Sequence, residues 1–363
     1  MRGRKFEKKV MDSKKKKIII ISVIFAIIIL TAVGVLAYKI LNSKNNQNEE
    51  NKLESNEEQS GSIVVSLDNE KKFNIYSGTS RPIAVMIDNH KDAQPQGGLN
   101  NAYAVYEIIA EGGESRLMAV FKGVNVEKIG PVRSSRHYFL DYALENDAIY
   151  VHYGWSPQAQ SDISTLKVNN INGISEGDKM FWRTKDKSAP HNVATSTDNI
   201  LQIAKKKNYE IYSVSKSVFN YTDKEVILDN GQTANKINIP YSASNVAGFV
   251  YDEASKQYIR YSKGTRQKDW STGEDVTTKN IIITFVENYP LNDGENKDRQ
   301  TIKNIGKLNG YYITNGKAIP ITCNKTSRTA KTIYEDLQGN KIEMNDGRTF
   351  VELCPIDAKV TIE

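Results

Sequence analysis

The run Tyr106 to Arg116, YEIIAEGGESR, gathers three carboxylates and a guanidinium around the dipeptide Gly112-Gly113. A two-residue hairpin closed at these glycines predicts Glu111 opposite Glu114, Ile109 opposite Arg116 and Glu107 opposite Met118. Strand alternation then places Tyr106, Ile108, Ala110, Ser115, Leu117, Ala119 and Phe121 on a core face, and Glu107, Glu111, Glu114 and Arg116 on the other. Crowding by like charges raises the pKa of a carboxyl group, which is what a general acid working near neutral pH requires. Glu111 is the candidate acid, Glu107 the neighbour that raises its pKa, and Arg116 the cation that holds the group together. The alternative is a solvated ionic face, because structural ion pairs gather the same residue types.

A second group is Gly130-Pro131-Val132-Arg133-Ser134-Ser135-Arg136. Backbone amides at a helix start, hydroxyls and the guanidinium groups of Arg133 and Arg136 suit a carboxylate, phosphate or sugar-acid ligand. A capped helix carrying surface arginines explains the same residues. Four histidines are present, His90, His137, His152 and His191, and none stands at a ligand spacing such as HExxH. Neither a metal nor a cofactor is therefore expected, and His152, inside an apolar strand, reads as a buried, satisfied imidazole. Trp155 follows it where the strand ends, a place where ligands of α/β sheets often bind and where an indole suits stacking on a sugar. Serine-hydrolase elbows and P-loop lysines are absent from the sequence.

These groups need rigid elements. RPIAVMID and AIYVHY read as short buried strands and AYAVYEIIAEGGESRLMAVFKG as a hairpin. Ser134 or Ser135 is the predicted cap of a helix RHYFLDYALE, Ser156-Pro157 opens a second helix, and Thr195 to Asp198 opens a third. Beyond Ser217 short strands alternate with turns, and Asn315-Gly316, Gly339-Asn340 and Asp346-Gly347 are hairpin-turn dipeptides. The expected fold is an α/β domain with a mixed sheet over residues 73–215, followed by a mainly antiparallel β domain over 216–363. Cys323 and Cys354 both fall in the latter, as one disulfide or two buried thiols.

The N-terminal segments set the compartment. Residues 18–38, from Ile18 to Tyr38, form an uncharged apolar run of about the ~20 residues that a helix needs to cross a bilayer. Nine basic residues precede it against Glu7 and Asp12, so residues 1–17 are expected in the cytoplasm and the globular part outside. A cleaved signal peptide ending near Val35-Leu36-Ala37 is the competing reading, disfavoured because the apolar run is too long. No cysteine near this run offers a lipid anchor. Residues 39–72, almost without large apolar side chains, read as a disordered tether. The basic tail accounts for the net charge of +6, and the near-neutral remainder excludes a nucleic-acid partner.

RPIAVMIDN, QGGLNNAYAVYEIIAEGGESRLMAVF, KIGPVRSSRHYFLDYA, AIYVHYGWSPQA and APHNV, together with the C-terminal GNKIEMNDGRTFVELCP, resemble the YerB-like family of Gram-positive envelope proteins. The resemblance implies two domains, an extracytoplasmic location and motif residues at Asp88, Glu107, Glu111, Arg116, Arg133, Arg136, His152 and His191. The family's better-known members look like lipoproteins, a departure that changes only the anchor. Outside the membrane the expected partner is peptidoglycan or a cell-wall synthesis protein. A lytic transglycosylase needs only one carboxyl group as acid and then base, the role given to Glu111, with Arg133 and Arg136 on a muramyl or peptide carboxylate. The alternative function is a non-catalytic module that binds peptidoglycan or a synthase and regulates wall assembly.

Overall fold

In the computed structural model of the chain, which describes residues 75–295 and 297–363, the apolar runs become strands. The N-terminal half supplies β1 (Ile83–Asp88), β2 (Ala104–Ile109), β3 (Ser115–Phe121), β4 (Ile149–His152) and β5 (Asn170–Asn172). Every residue of β1, β2 and β3 is buried. Burial on both faces is why these strands lack a clean in-out alternation in sequence. β3 lies antiparallel between β2 and β1, and β4 and β5 continue parallel to β1.

Three short helices flank this part: α1 (Phe139–Glu145), α2 (Pro157–Thr165) and α3 (Thr197–Lys206). α2 opens as its sequence predicts, with Pro157 in the first turn and the Ser156 hydroxyl accepting from the Ala159 amide at 3.2 Å. α3 is capped in the same way by Ser196 on Asn199.

The C-terminal half is mainly antiparallel. β6 (Lys236–Ser242), β7 (Asn245–Asp252) and β8 (Gln257–Ser262) form a meander, and β9 (Asn280–Pro290), β10 (Gly306–Thr314), β11 (Lys317–Lys325) and β12 (Ile333–Glu335) a second antiparallel series. β13 (Thr349–Pro355) then lies between β2 and β9, parallel to both. One sheet therefore passes through both halves in the order β12-β11-β10-β9-β13-β2-β3-β1-β4-β5. β14 (Thr361–Ile362) pairs with β6 at the edge of the meander sheet.

Several expectations change. The hairpin between β2 and β3 closes on a three-residue loop: Ala110 N–H donates to Glu114 O at 2.7 Å, and Glu111, Gly112 and Gly113 make the turn. Both glycines adopt positive φ, 64° at Gly112 and 74° at Gly113, a left-handed conformation that glycine reaches without a Cβ penalty. The register becomes Ile108 with Arg116 and Glu107 with Leu117. A slip of one residue moves Arg116 to the face opposite Glu107, so the expected four-residue ionic face does not form.

The helix expected from Ser134 or Ser135 begins only at Phe139, without a side-chain cap. Residues 130–135 are instead held extended against neighbouring strands: Arg133 N–H donates to Met86 O at 2.9 Å and Ser135 N–H to Gly154 O at 2.9 Å. Asn315-Gly316 does close the β10–β11 hairpin, whereas Asp346-Gly347 leads into β13 without joining two paired strands. Cys323 and Cys354 are buried free thiols. Among the described residues no helix is long and apolar enough to cross a membrane. The expected Ile18–Tyr38 anchor and the tether lie outside the described residues.

Candidate functional site

The carboxyl ends of the parallel pair β1 and β4 leave a gap that the extended segment 130–135 enters, as its backbone bonds to Met86, Asp88 and Gly154 record. Ends of parallel strands are where side chains can converge without closing the sheet. Asp88 is the last residue of β1 and faces Arg116 across the β1–β3 ladder. Its carboxylate accepts from the His90 amide at 3.0 Å and from His191 Nδ1 at 2.7 Å, and it pairs with Arg133 Nε at 3.1 Å. His90 and His191 stack, with ring centroids 4.5 Å apart and planes 14° from parallel.

Glu111, in the hairpin loop, is held by two arginines. Arg136 Nε donates to its Oε2 at 2.9 Å, and Arg136 Nη2 and Arg116 Nη2 both donate to Oε1. Arg116 also donates to Ser134 O at 2.6 Å, and Arg136 to Ser135 O at 2.7 Å. Burial pushes the Glu111 pKa up, but Arg116 and Arg136 outweigh it and leave the carboxyl below its usual value of 4.5. It is ionised at neutral pH. Burial and Arg136 push Arg116 down to about 10, which still leaves it cationic.

Glu107 occupies a different place. It is fully buried on the face toward the meander sheet, ion-paired with Arg260 and accepting from Ser115 Oγ and from Asn89 Nδ2 at 3.0 Å. Glu352 of β13 is its neighbour in the parallel ladder. Tyr241 Oη lies 2.9 Å from both Glu107 O and Glu352 Oε2. Burial, and then Glu107, push the Glu352 pKa well above 4.5. The expected role of Glu107, raising the pKa of Glu111, is corrected: it faces away and raises Glu352.

The structure brings Asp88, Glu111, Arg116, Arg133, Arg136 and His191 into one chain of charges. Exposure separates them, since the Arg133 side chain keeps 27% of its surface and Arg116 and Arg136 only 6% and 8%. Arg133 and His191 are the cationic and imidazole groups a ligand can reach. His152 is fully buried, with Nδ1 2.8 Å from Gly154 O and Nε2 3.3 Å from Asn170 Oδ1, and burial pushes its pKa down to about 4. Trp155 is half-buried against it, with centroids 5.4 Å apart, and its backbone bridges to Ser135. His137 lies elsewhere, beside Thr301. Glu114 pairs with Lys263 at 2.8 Å on the meander side.

The larger surface depressions lie away from these charges. One of about 730 Å³ is lined by Ser213 to Tyr221, Lys331 to Tyr334 and Tyr76.

A mixed sheet thus threads both halves of the sequence, with a charged cluster at the ends of its parallel strands. The chain belongs to the family described as protein of unknown function (DUF3048): its N-terminal domain matches residues 54–210 and its C-terminal domain residues 237–351. The chain is 30% identical over 274 residues to YerB of Bacillus subtilis (strain 168), a protein provisionally named a lipoprotein, covering 74% of this chain and 77% of YerB. It is also similar to the crystal structure of YerB from Bacillus subtilis, with a TM-score of 0.70 and 27% identity, over 84% of this chain and all of that one.

Arg260, Glu352, Asn89 and Ser115, which complete the buried network, were not singled out by spacing. The available signal is a lone acid inside an apolar strand, as in TFVELCP and AVYEII, because such a residue requires a buried partner.

Proposed function

We propose that the chain is an envelope protein, anchored by the Ile18–Tyr38 helix with its N-terminus in the cytoplasm, that binds anionic cell-wall material without cutting it. The observation that carries this reading is the grip of Arg116 and Arg136 on Glu111. A lytic transglycosylase needs a protonated carboxyl group at the glycosidic oxygen, and two guanidiniums favour the ionised form. Glu107, sealed on the other face, does not act on Glu111 to oppose them.

The accessible groups favour binding instead. Arg133 presents a fork suited to carboxylate or phosphate, beside His191 and near Trp155. The partly exposed Arg133 and His191 side chains suit the anionic groups of a polymer laid across them. The name of the Bacillus subtilis relative supports the membrane-associated location, and the basic tail before Ile18 supports the orientation. A partner among wall-synthesis proteins is the neighbouring possibility, read by the same surface.

The test is sedimentation of the detergent-solubilised full-length chain with purified peptidoglycan, followed by mass spectrometry of the supernatant. The expected result is co-sedimentation with no soluble muropeptides. Release of anhydro-muropeptides that stops in Glu111→Gln would restore the enzyme reading, and failure to co-sediment would remove the binding one.

A further inference from the structure

Two imidazoles and a carboxylate converge beside Asp88 from segments far apart in sequence. His90 follows β1, Asp92 lies in a single 3-10 turn after it, and His191 precedes the short strand Val193–Ala194. One potential ligand atom from each of His90, Asp92 and His191 lies within 4.8 Å of the others. His90 Nδ1 is 3.5 Å from Asp92 Oδ2, close to the separation of about 3.3 Å between donors on a tetrahedral ion with bonds near 2.0–2.1 Å.

We propose that His90, Asp92 and His191 hold a divalent metal ion of zinc type, with Asp88 orienting His191 from behind. A second observation points to the ion independently of proximity. His191 Nδ1 is turned to the buried Asp88 at 2.7 Å, which fixes the tautomer with Nε2 as the free lone pair. This is the carboxylate–histidine support that metal-binding imidazoles use. Asp88 is not itself a ligand, because its carboxylate is already ion-paired with Arg133 and accepts from the His90 amide and from His191 Nδ1.

The charges permit a cation. Arg133 is the nearby guanidinium, and its charge is matched by Asp88, while Asp92 adds a carboxylate facing the imidazoles. The near-parallel stacking of the rings requires one of them to turn about χ2 to bring both nitrogens onto an ion, and that torsion is broad. His90 Nδ1 also accepts from the Asp92 amide at 3.2 Å, a bond released when the ion takes that nitrogen. Two imidazoles and one carboxylate suit zinc and leave a coordination position open to water or an anionic group.

The experiment uses the full-length chain in detergent, stripped of metal by a chelator and titrated with Zn²⁺ against a chromophoric competitor. The expected result is one equivalent per chain. Asp92→Asn and His90→Ala should weaken binding at least tenfold, and Asp88→Asn by about 10–100-fold as a supporting residue. His137→Gln should change nothing. Asp92 is exposed, so Asp92→Asn should melt like the wild type without metal, and Zn²⁺ should raise the melting temperature of the wild type and of His137→Gln more than that of Asp92→Asn. Absence of stoichiometric binding overturns the proposal, as does unchanged affinity in both Asp92→Asn and His90→Ala. Zinc titration succeeds or fails independently of sedimentation with peptidoglycan.

Discussion

Replacing Glu111 by Gln would leave the Arg116 and Arg136 guanidiniums facing each other, two cations that are nearly buried. Breaking a charge pair of this kind by removing one partner costs about 3–5 kcal/mol when fully buried, and the partial exposure of Glu111 reduces the expected loss to about 2 kcal/mol. Because the folded-state pKa of Glu111 lies below 4.5, its contribution is present above pH 4.5 and is lost as the pH falls through the folded value. Urea denaturation at several pH values checks both points: the gap between wild type and Glu111→Gln should be widest near neutrality and narrow below pH 4.5. Glu107→Ala is expected to cost about 3–5 kcal/mol, since it removes the carboxylate bonded to the fully buried Arg260 and leaves Glu352 as the remaining acid beside it. Glu352 has the opposite sign. Its pKa is raised, so its protonated form favours the fold below pH 4.5, and that stability is lost as the pH rises through the folded value.

Hairpins decide which of these residues can meet. The turn Asn315-Gly316 was legible because two residues of positive φ, 49° and 72°, are what the short β10–β11 connection needs. A Cβ on Gly316 would also lie 3.1 Å from the Tyr251 ring, so Gly316→Ala is expected to destabilise by about 1–2 kcal/mol, read as a lowered urea midpoint at unchanged slope. The Gly112-Gly113 turn was legible as a turn but not in its length. Glycine permits a two-residue loop and a three-residue loop alike, and only the tertiary demand for Ser115 and Asn89 on the Glu107 carboxylate selects the latter. Strands β1, β2 and β4 and helices α2 and α3 were readable from apolar runs and caps. The late start of α1 was not, because Ser134 and Ser135 have capping chemistry and their extended conformation is set by bonds to Met86 and Gly154.

At the scale of the whole molecule the decisive contact is β13 between β2 and β9. Sequence pattern identifies TFVELCP as a buried strand without naming its partners, so the passage of one sheet through both halves could not be read in advance. The placement predicts a single unfolding transition. Trp155 and Trp182 in the first half and Trp270 in the second should lose native fluorescence together with the sheet signal in circular dichroism, and two separated transitions would contradict it. A chain cut at residue 215 would expose the edge of β2 and should aggregate.

The same frame carries Arg133 to the surface while burying Arg116 and Arg136, and on that difference the binding account rests. Its most direct test is the affinity of the full-length chain for purified cell-wall peptidoglycan, compared between wild type and Arg133→Ala across a salt series. The account predicts wild-type binding that weakens with salt and falls tenfold or more in Arg133→Ala, the effect of about 1.5–3 kcal/mol for one charge-assisted bond. Binding unchanged by Arg133→Ala, in a variant that melts like the wild type, would contradict it.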